Sequence, residues 1–385
     1  MVVPPRPATT SGAEDRTRGP DVETTRPVRD KRGCCVLRTR AQVLGPVWTS
    51  LPGSEEPTSV RAWTACGIPA PVIPLRDLQS ARERIADAAI RTPLVRLNAE
   101  TPADIYLKLE NLQPIGSFKI RGASNRMALT PRSQLERGVW TASAGNMAQG
   151  VAWNAKRLGI PCTVVVPEGA PATKLAAVER MGARVVAVPH DEWFDTFRTR
   201  RREGLDGLFV HAFSDDAVMA GNGTIGLEIL DDLPEVEAIV VPFGGGGLAC
   251  GIASAIRALR PRTKVFAAEV ATAAPLIASL AKGAPTEIEH ARTFVDGIGG
   301  PRVFPEMFDL ARDLLDGSLV SSLDEVAAAI RLLVERNRVV AEGAGAASVA
   351  AAMAGRAGTG KVVCVVSGGN IDTRTLVTIL EGQTP

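Results

Sequence analysis

The stretch Lys108-Leu109-Glu110-Asn111-Leu112-Gln113-Pro114-Ile115-Gly116-Ser117-Phe118-Lys119-Ile120-Arg121-Gly122-Ala123 sets one lysine, Lys119, between Phe118 and Ile120, in a segment flanked by Gly116 and Gly122. An ammonium held against apolar side chains loses hydration, and its pKa falls toward the neutral amine that carbonyl chemistry requires. Taken alone, the same pattern also describes a solvated surface lysine. What lies on either side of it decides between the two.

Upstream, residues 75–88 have helical spacing and residues 105–109 read as a short strand leading into the lysine segment. Downstream, residues 162–166, 184–188, 238–241, 265–268 and 362–366 are short apolar strand runs, and residues 151–158 and 174–181 have helical spacing. Apolar runs without alternation suit parallel strands covered on both faces. Repeated strand–helix order predicts an α/β fold with parallel sheet.

Ligands of open α/β sheets bind at the carboxyl ends of strands, and three such places here are rich in glycine. Ser143-Ala144-Gly145-Asn146-Met147 precedes a helix expected from about Ala148. Gly244-Gly245-Gly246-Gly247 follows Val240-Val241-Pro242-Phe243 and precedes a helix over residues 248–259. Ser367-Gly368-Gly369-Asn370 follows the last strand. Four consecutive glycines let backbone N–H groups converge on an anion, and the helix start adds its positive end. The same residues fit a plain tight turn. They also fit a relaxed dinucleotide fingerprint, Gly244-x-Gly246-x-x-Ala249, with Glu269 as the ribose-binding acid.

Composition narrows the classes. A net charge of +2 is too small to argue for a nucleic-acid or acidic-membrane partner. No apolar run approaches the roughly eighteen residues of a membrane-spanning helix. The six cysteines are scattered, with Cys162 and Cys364 inside apolar strands, which fits a reduced cytoplasmic protein better than a disulfide framework. His190, His211 and His290 are too far apart in sequence to mark a metal cluster. Residues 1–70 are rich in Pro, Arg, Thr and Ser and show no sustained period, so they read as a disordered extension. Glu14, Asp15, Asp21 and Glu23, with no apolar h-region, argue against a targeting signal.

The lysine segment resembles the cofactor-lysine motif of fold type II pyridoxal-phosphate enzymes, the threonine ammonia-lyase and serine racemase group. Further motifs match in order. Ser143-Ala144-Gly145-Asn146 resembles the family's substrate-carboxylate loop, and Val166-Pro167 with Pro171 and Lys174 its next strand end. Ala220-Gly221-Asn222-Gly223-Thr224-Ile225-Gly226 resembles a Gly-rich helix start, and the tetraglycine the phosphate loop. Glu342-Gly343-Ala344-Gly345-Ala346-Ala347 resembles a late helix start, and Ser367-Gly368-Gly369-Asn370 the last strand end. The similarity covers about residues 71–382.

The resemblance implies two parallel-sheet α/β domains of the tryptophan synthase β-like architecture. Residues 71–137 and 215–385 would form a large cofactor-binding domain, and residues 138–214 a small substrate-binding one. It implies pyridoxal 5'-phosphate as cofactor, a small amino acid as substrate, and a homodimer without nucleic-acid or membrane partners. Lys119 would anchor the cofactor and remove the substrate α-proton. Asn146 would bond the cofactor's phenolic oxygen, Gly244, Gly245, Gly246 and Gly247 its phosphate, and Ser367 its pyridine nitrogen, with Phe118 packed alongside. Ser143, Ala144, Gly145 and Asn146 would clamp the substrate carboxylate. The implied reaction is β-elimination of L-threonine or L-serine to a 2-oxo acid and ammonia.

Departures from the pattern shape this expectation. The racemases carry a second serine in the carboxylate loop, where this chain has Ala144, so elimination is favoured over racemisation. Met147 stands where the family commonly has His, and Asn222 where it has Gln, which leaves room for a larger β-hydroxy amino acid. Glu269 matches one acid of a cation site found in some members, but residues 271–275 supply no second carboxylate, so no metal is expected. A β-replacement enzyme, a nicotinamide oxidoreductase and a non-catalytic amino-acid-binding protein are the competing readings.

Overall fold

The all-apolar runs become parallel strands because helices cover both of their faces. The computed structural model describes residues 73–170 and 172–385. The expected N-terminal extension and Pro171 lie outside the described residues. The described residues form ten strands: β1 (Leu94–Arg96), β2 (Asp104–Leu109), β3 (Val139–Ala142), β4 (Cys162–Pro167), β5 (Arg184–Val188), β6 (Leu208–Phe209), β7 (Ala238–Pro242), β8 (Lys264–Val270), β9 (Ser318–Ser321) and β10 (Lys361–Val366). Six of them form one sheet in the order β1-β2-β10-β7-β8-β9, parallel except for the β1–β2 pair. The other four form a fully parallel sheet in the order β5-β4-β3-β6. This is the expected α/β class with two parallel sheets.

The larger sheet shows why a continuous apolar run is needed. In β10, Val363 and Val365 pack with Ile239, Val241, Ile252 and Ile256 on one face. Val362, Cys364 and Val366 pack with Leu107, Val240, Ala346 and Val349 on the other. In the smaller sheet, Val164 and Val166 pack against the helix Asn146–Leu158, while Trp140, Val165 and Val188 fill the opposite side with Phe197. No helix among the described residues is long and apolar enough to cross a membrane.

One expectation needs correction. Ala220–Gly226 is not a helix start but the middle of the helix Asp216–Asp232, which begins with Asp215 accepting the Val218 N–H at 3.0 Å. Glycines inside a helix cost about 1 kcal/mol each relative to alanine. Here close backbone approach requires them. A Cβ at Gly221 would stand 2.5 Å from the Arg121 carbonyl, and one at Gly223 would stand 2.6 Å from the Gly251 carbonyl. These glycines press the helix that begins at Lys119 against the helix that begins at Gly247 through a shared neighbour.

Candidate active site

Lys119 is the first residue of the helix Lys119–Ala128, and the loop ahead of it is tied to the end of β10. The Phe118 N–H donates to the Ser367 carbonyl at 3.0 Å, and the Gly369 N–H to the Gly116 carbonyl at 2.9 Å. The Lys119 amine donates to the Ala212 carbonyl at 2.7 Å and lies 5.0 Å from the Phe118 ring centroid. Burial lowers its pKa to about 8, against the opposing field of the Glu342 carboxylate.

Two residues further on, Arg121 anchors this helix start from beneath. Its guanidinium donates to both oxygens of Glu110 and both of Glu228, at 2.6–2.9 Å. Lys108 completes the cluster, donating to Glu228 and to the Thr92 carbonyl, each at 2.6 Å. Two cations and two anions share one buried site, so no net charge is left without a partner. The second lysine of the motif is therefore fully engaged.

The tetraglycine turn meets the same place from β7. Gly246 has φ +90°, and the helix Gly247–Leu259 starts directly after it, leaving its first N–H groups without helical partners. Side chains are excluded here because the segment after Ala212 lies against the turn. A Cβ at Gly245 would stand 2.0 Å from the Phe213 ring, and one at Gly247 would stand 2.6 Å from the Phe213 carbonyl. Asn222 approaches from behind, its Nδ2 3.4 Å from the Gly247 carbonyl.

The glycine turn after β3 supplies Asn146. The helix after β3 starts at Asn146, two residues earlier than expected, with Gly145 as its cap. Asn146 donates to Glu342 at 2.8 Å and accepts from Asn370 at 2.7 Å. Ser143, Ala144, Gly145 and Asn146 are all partly exposed, whereas Met147 is buried in the core between this helix and the smaller sheet. The structure thus brings together Phe118, Lys119, the loop of residues 143–146, the tetraglycine and Ser367.

The family profile described as pyridoxal-phosphate dependent enzyme matches residues 85–368. The chain belongs to the pyridoxal-phosphate dependent enzyme family. It is 43% identical over 317 residues to an L-threonine ammonia-lyase of Geobacter sulfurreducens, covering 80% of this chain and 79% of that one. Among solved structures it is similar to maize serine racemase, with TM-score 0.74, 31% identity, and 80% and 97% of the two chains covered. Threonine deaminase isoform 2 from Solanum lycopersicum is also similar, with TM-score 0.71, 32% identity, and coverage of 81% and 95%.

The residues present fit the family's cofactor. An amine of lowered pKa suits its aldehyde. A glycine turn with free N–H groups at a helix start suits its phosphate. An amide and a hydroxyl, Asn146 and Ser367, complete the polar set. The dinucleotide reading loses its acid. Both Glu269 oxygens accept from the first turn of the helix Pro275–Lys282, from Leu276 N at 2.7 Å and Ile277 N at 2.9 Å. Ser318 Oγ adds a third bond at 2.6 Å. Glu269 is a helix cap.

Two residues of the site had no role in the sequence reading. Glu342 was read only as part of a helix start, although a lone acid ahead of Gly343-Ala344-Gly345 was a usable signal. Burial raises its pKa to about 7, opposed by the Asn146 hydrogen bond. His211 precedes the carbonyl that receives Lys119. Its Nδ1 accepts from Ser214 N at 2.8 Å and Phe213 N at 3.3 Å, and it sits among Phe197, Phe209, Phe213 and Phe304. Nothing in its sequence context announces this.

His211 makes the fold acid-sensitive. Burial first, then the charges of Arg200 and Lys119, lower its pKa from 6.5 to about 3. An unfolded chain takes up a proton below pH 6.5 that the native imidazole refuses. This contribution to stability is therefore complete above pH 6.5 and lost as the pH falls toward about 3. Thermal melts across this window should show Tm falling faster with acid in the wild type than in His211→Gln. Equal slopes would remove His211 as the cause.

Proposed function

We propose that this enzyme removes water and ammonia from L-threonine and L-serine, leaving a 2-oxo acid. The observation that carries the reading is the Lys119 amine, held at lowered pKa among the glycine turns. Bound pyridoxal phosphate supplies an aromatic ring that accepts the electron pair of the breaking Cα–H bond. Lys119 would hold it covalently and then take the α-proton at its amine. The N–H groups of Gly244, Gly245, Gly246 and Gly247 would bind its phosphate, and Phe118 would pack beside it. Asn146 would donate to its ring oxygen, and Ser143, Ala144, Gly145 and Asn146 would hold the substrate carboxylate.

Ser367 would meet the ring nitrogen. A hydroxyl there would not enforce protonation as a carboxylate would, so Ser367 would weaken the ring's pull on electrons and favour loss of a β-hydroxyl. That chemistry favours elimination. The larger-substrate alternative rested on Met147 together with Asn222, and the buried Met147 side chain adds nothing to it. The six-stranded sheet with its helices would form the cofactor-binding domain, residues 71–137 and 215–385, and residues 138–214 the substrate-binding one. The buried thiols of Cys162, Cys250 and Cys364 suit a reducing cytoplasm, and we read the working form as a homodimer.

The test is a substrate panel on the purified enzyme with pyridoxal phosphate. L-threonine and L-serine should each release 2-oxo acid and ammonia in equal amounts. Turnover only when an added thiol replaces the β-substituent would overturn the reading in favour of β-replacement.

A further inference from the structure

We propose that Glu342 is a positioning residue of this site, holding the Asn146 amide in the one orientation that presents a donor to the cofactor's ring oxygen. The inference rests on the reading of Asn146 given above. Its basis is a chain of hydrogen bonds whose polarity admits one solution. A backbone carbonyl only accepts, so the Ile115 carbonyl, 2.9 Å from Asn370, fixes the Asn370 nitrogen on that side. The same nitrogen donates to Asn146 Oδ1 at 2.7 Å. Asn146 must then turn its own nitrogen the other way, where one proton goes to Glu342 Oε1 at 2.8 Å. An amide nitrogen carries two protons, and the second remains to be given.

The fold makes room for this carboxyl. A Cβ on Gly368 would lie 2.6 Å from Glu342 Oε1, so the turn after β10 admits the acid only as glycine. The Glu342 N–H donates to the Gly368 carbonyl at 3.0 Å and pins the residue. The clasp therefore joins the turn after β3, in the smaller sheet, to two segments of the larger one. The charged groups that bear on Glu342 are Lys119, Lys174 from the helix Ala172–Arg180, and Asp296, which is paired with Lys174. Since burial raises the acid to about 7, the clasp gains its negative charge as the pH rises through neutrality, and its grip on Asn146 strengthens.

Glu342→Ala and Glu342→Gln, in the full chain saturated with pyridoxal phosphate, test this without substrate. The readout is the visible spectrum of the bound cofactor from about pH 6 to pH 9, with kcat and KM measured alongside. The wild-type spectrum should change in a step near pH 7. Gln keeps an acceptor for Asn146 but cannot ionise, so it should lose the step and keep kcat within about threefold. Ala removes both, and should shift the spectrum at every pH and lower kcat by about tenfold or more with little change in KM.

An Ala spectrum and kcat like the wild type's would overturn the proposal. So would a Gln variant as impaired as Ala with an equally lowered Tm, since Glu342 would then serve the fold alone. If Ala does not fold, the presence or absence of the step in Gln decides. The expected spectra in an enzyme that releases no 2-oxo acid would overturn the proposed reaction and leave this inference standing.

Discussion

Lys119→Ala is expected to lose at least ~10³-fold of kcat together with the visible absorbance of a lysine-linked cofactor, because on the proposed reading one amine would supply both the covalent anchor and the base. The amine is prepared for both roles. With its pKa lowered to about 8, a useful fraction is neutral near physiological pH. Its hydrogen bond to the neutral Ala212 carbonyl at 2.7 Å holds it, while only the field of Glu342 favours the charged form. The fold should survive the change, since the helix start is held by Arg121 with Glu110 and Glu228 rather than by Lys119. A Tm near the wild type's, with activity and colour gone, is the expected combination. Near-normal turnover would remove Lys119 from the chemistry.

Ala144→Ser should raise D-serine formation from L-serine relative to 2-oxo acid release. A positioned acid typically contributes ~10²–10⁴-fold to a proton transfer, and an untuned hydroxyl should reach the lower end of that range. Ala144 is partly exposed in the loop after β3, beside Ser143, whose Oγ accepts from Gly145 N at 3.2 Å. The wild-type residue has no proton to give, so on the proposed reading reprotonation would be left to the face that Lys119 serves. Chiral chromatography of the remaining serine, run with 2-oxo acid detection, measures the ratio. A wild type that already racemises L-serine as fast as it eliminates would show that another group serves the second face.

Much of the fold was legible in sequence because the strands that carry the sheets are short apolar runs. Residues 105–109, 162–166, 184–188, 238–241, 265–268 and 362–366 were read within a residue or two of β2, β4, β5, β7, β8 and β10. β1, β6 and β9, of two to four residues, were not, since so short a run shows no period. β3 was implied only by the glycine turn that follows it. The chemistry-bearing turns were legible for a similar local reason, because glycine runs at strand ends report backbone demands within the run itself.

What the sequence by itself determined was therefore local: an α/β alternation, three glycine turns at strand ends, and a lysine in a motif that also contained Lys108. Only the tertiary structure separated the two lysines, giving Lys108 to a buried cluster with Glu228 and Arg121 and setting the Lys119 amine on the neutral Ala212 carbonyl. It turned Glu269 from a ligand candidate into a helix cap and Gly221 from a helix start into a crossing point. It also placed Glu342 and Asn370 on Asn146 across 196 and 224 residues of chain. A residue's local pattern states what its backbone can do. Its protonation and hydrogen-bond partners depend on burial and on groups distant in sequence, which only the folded chain brings together.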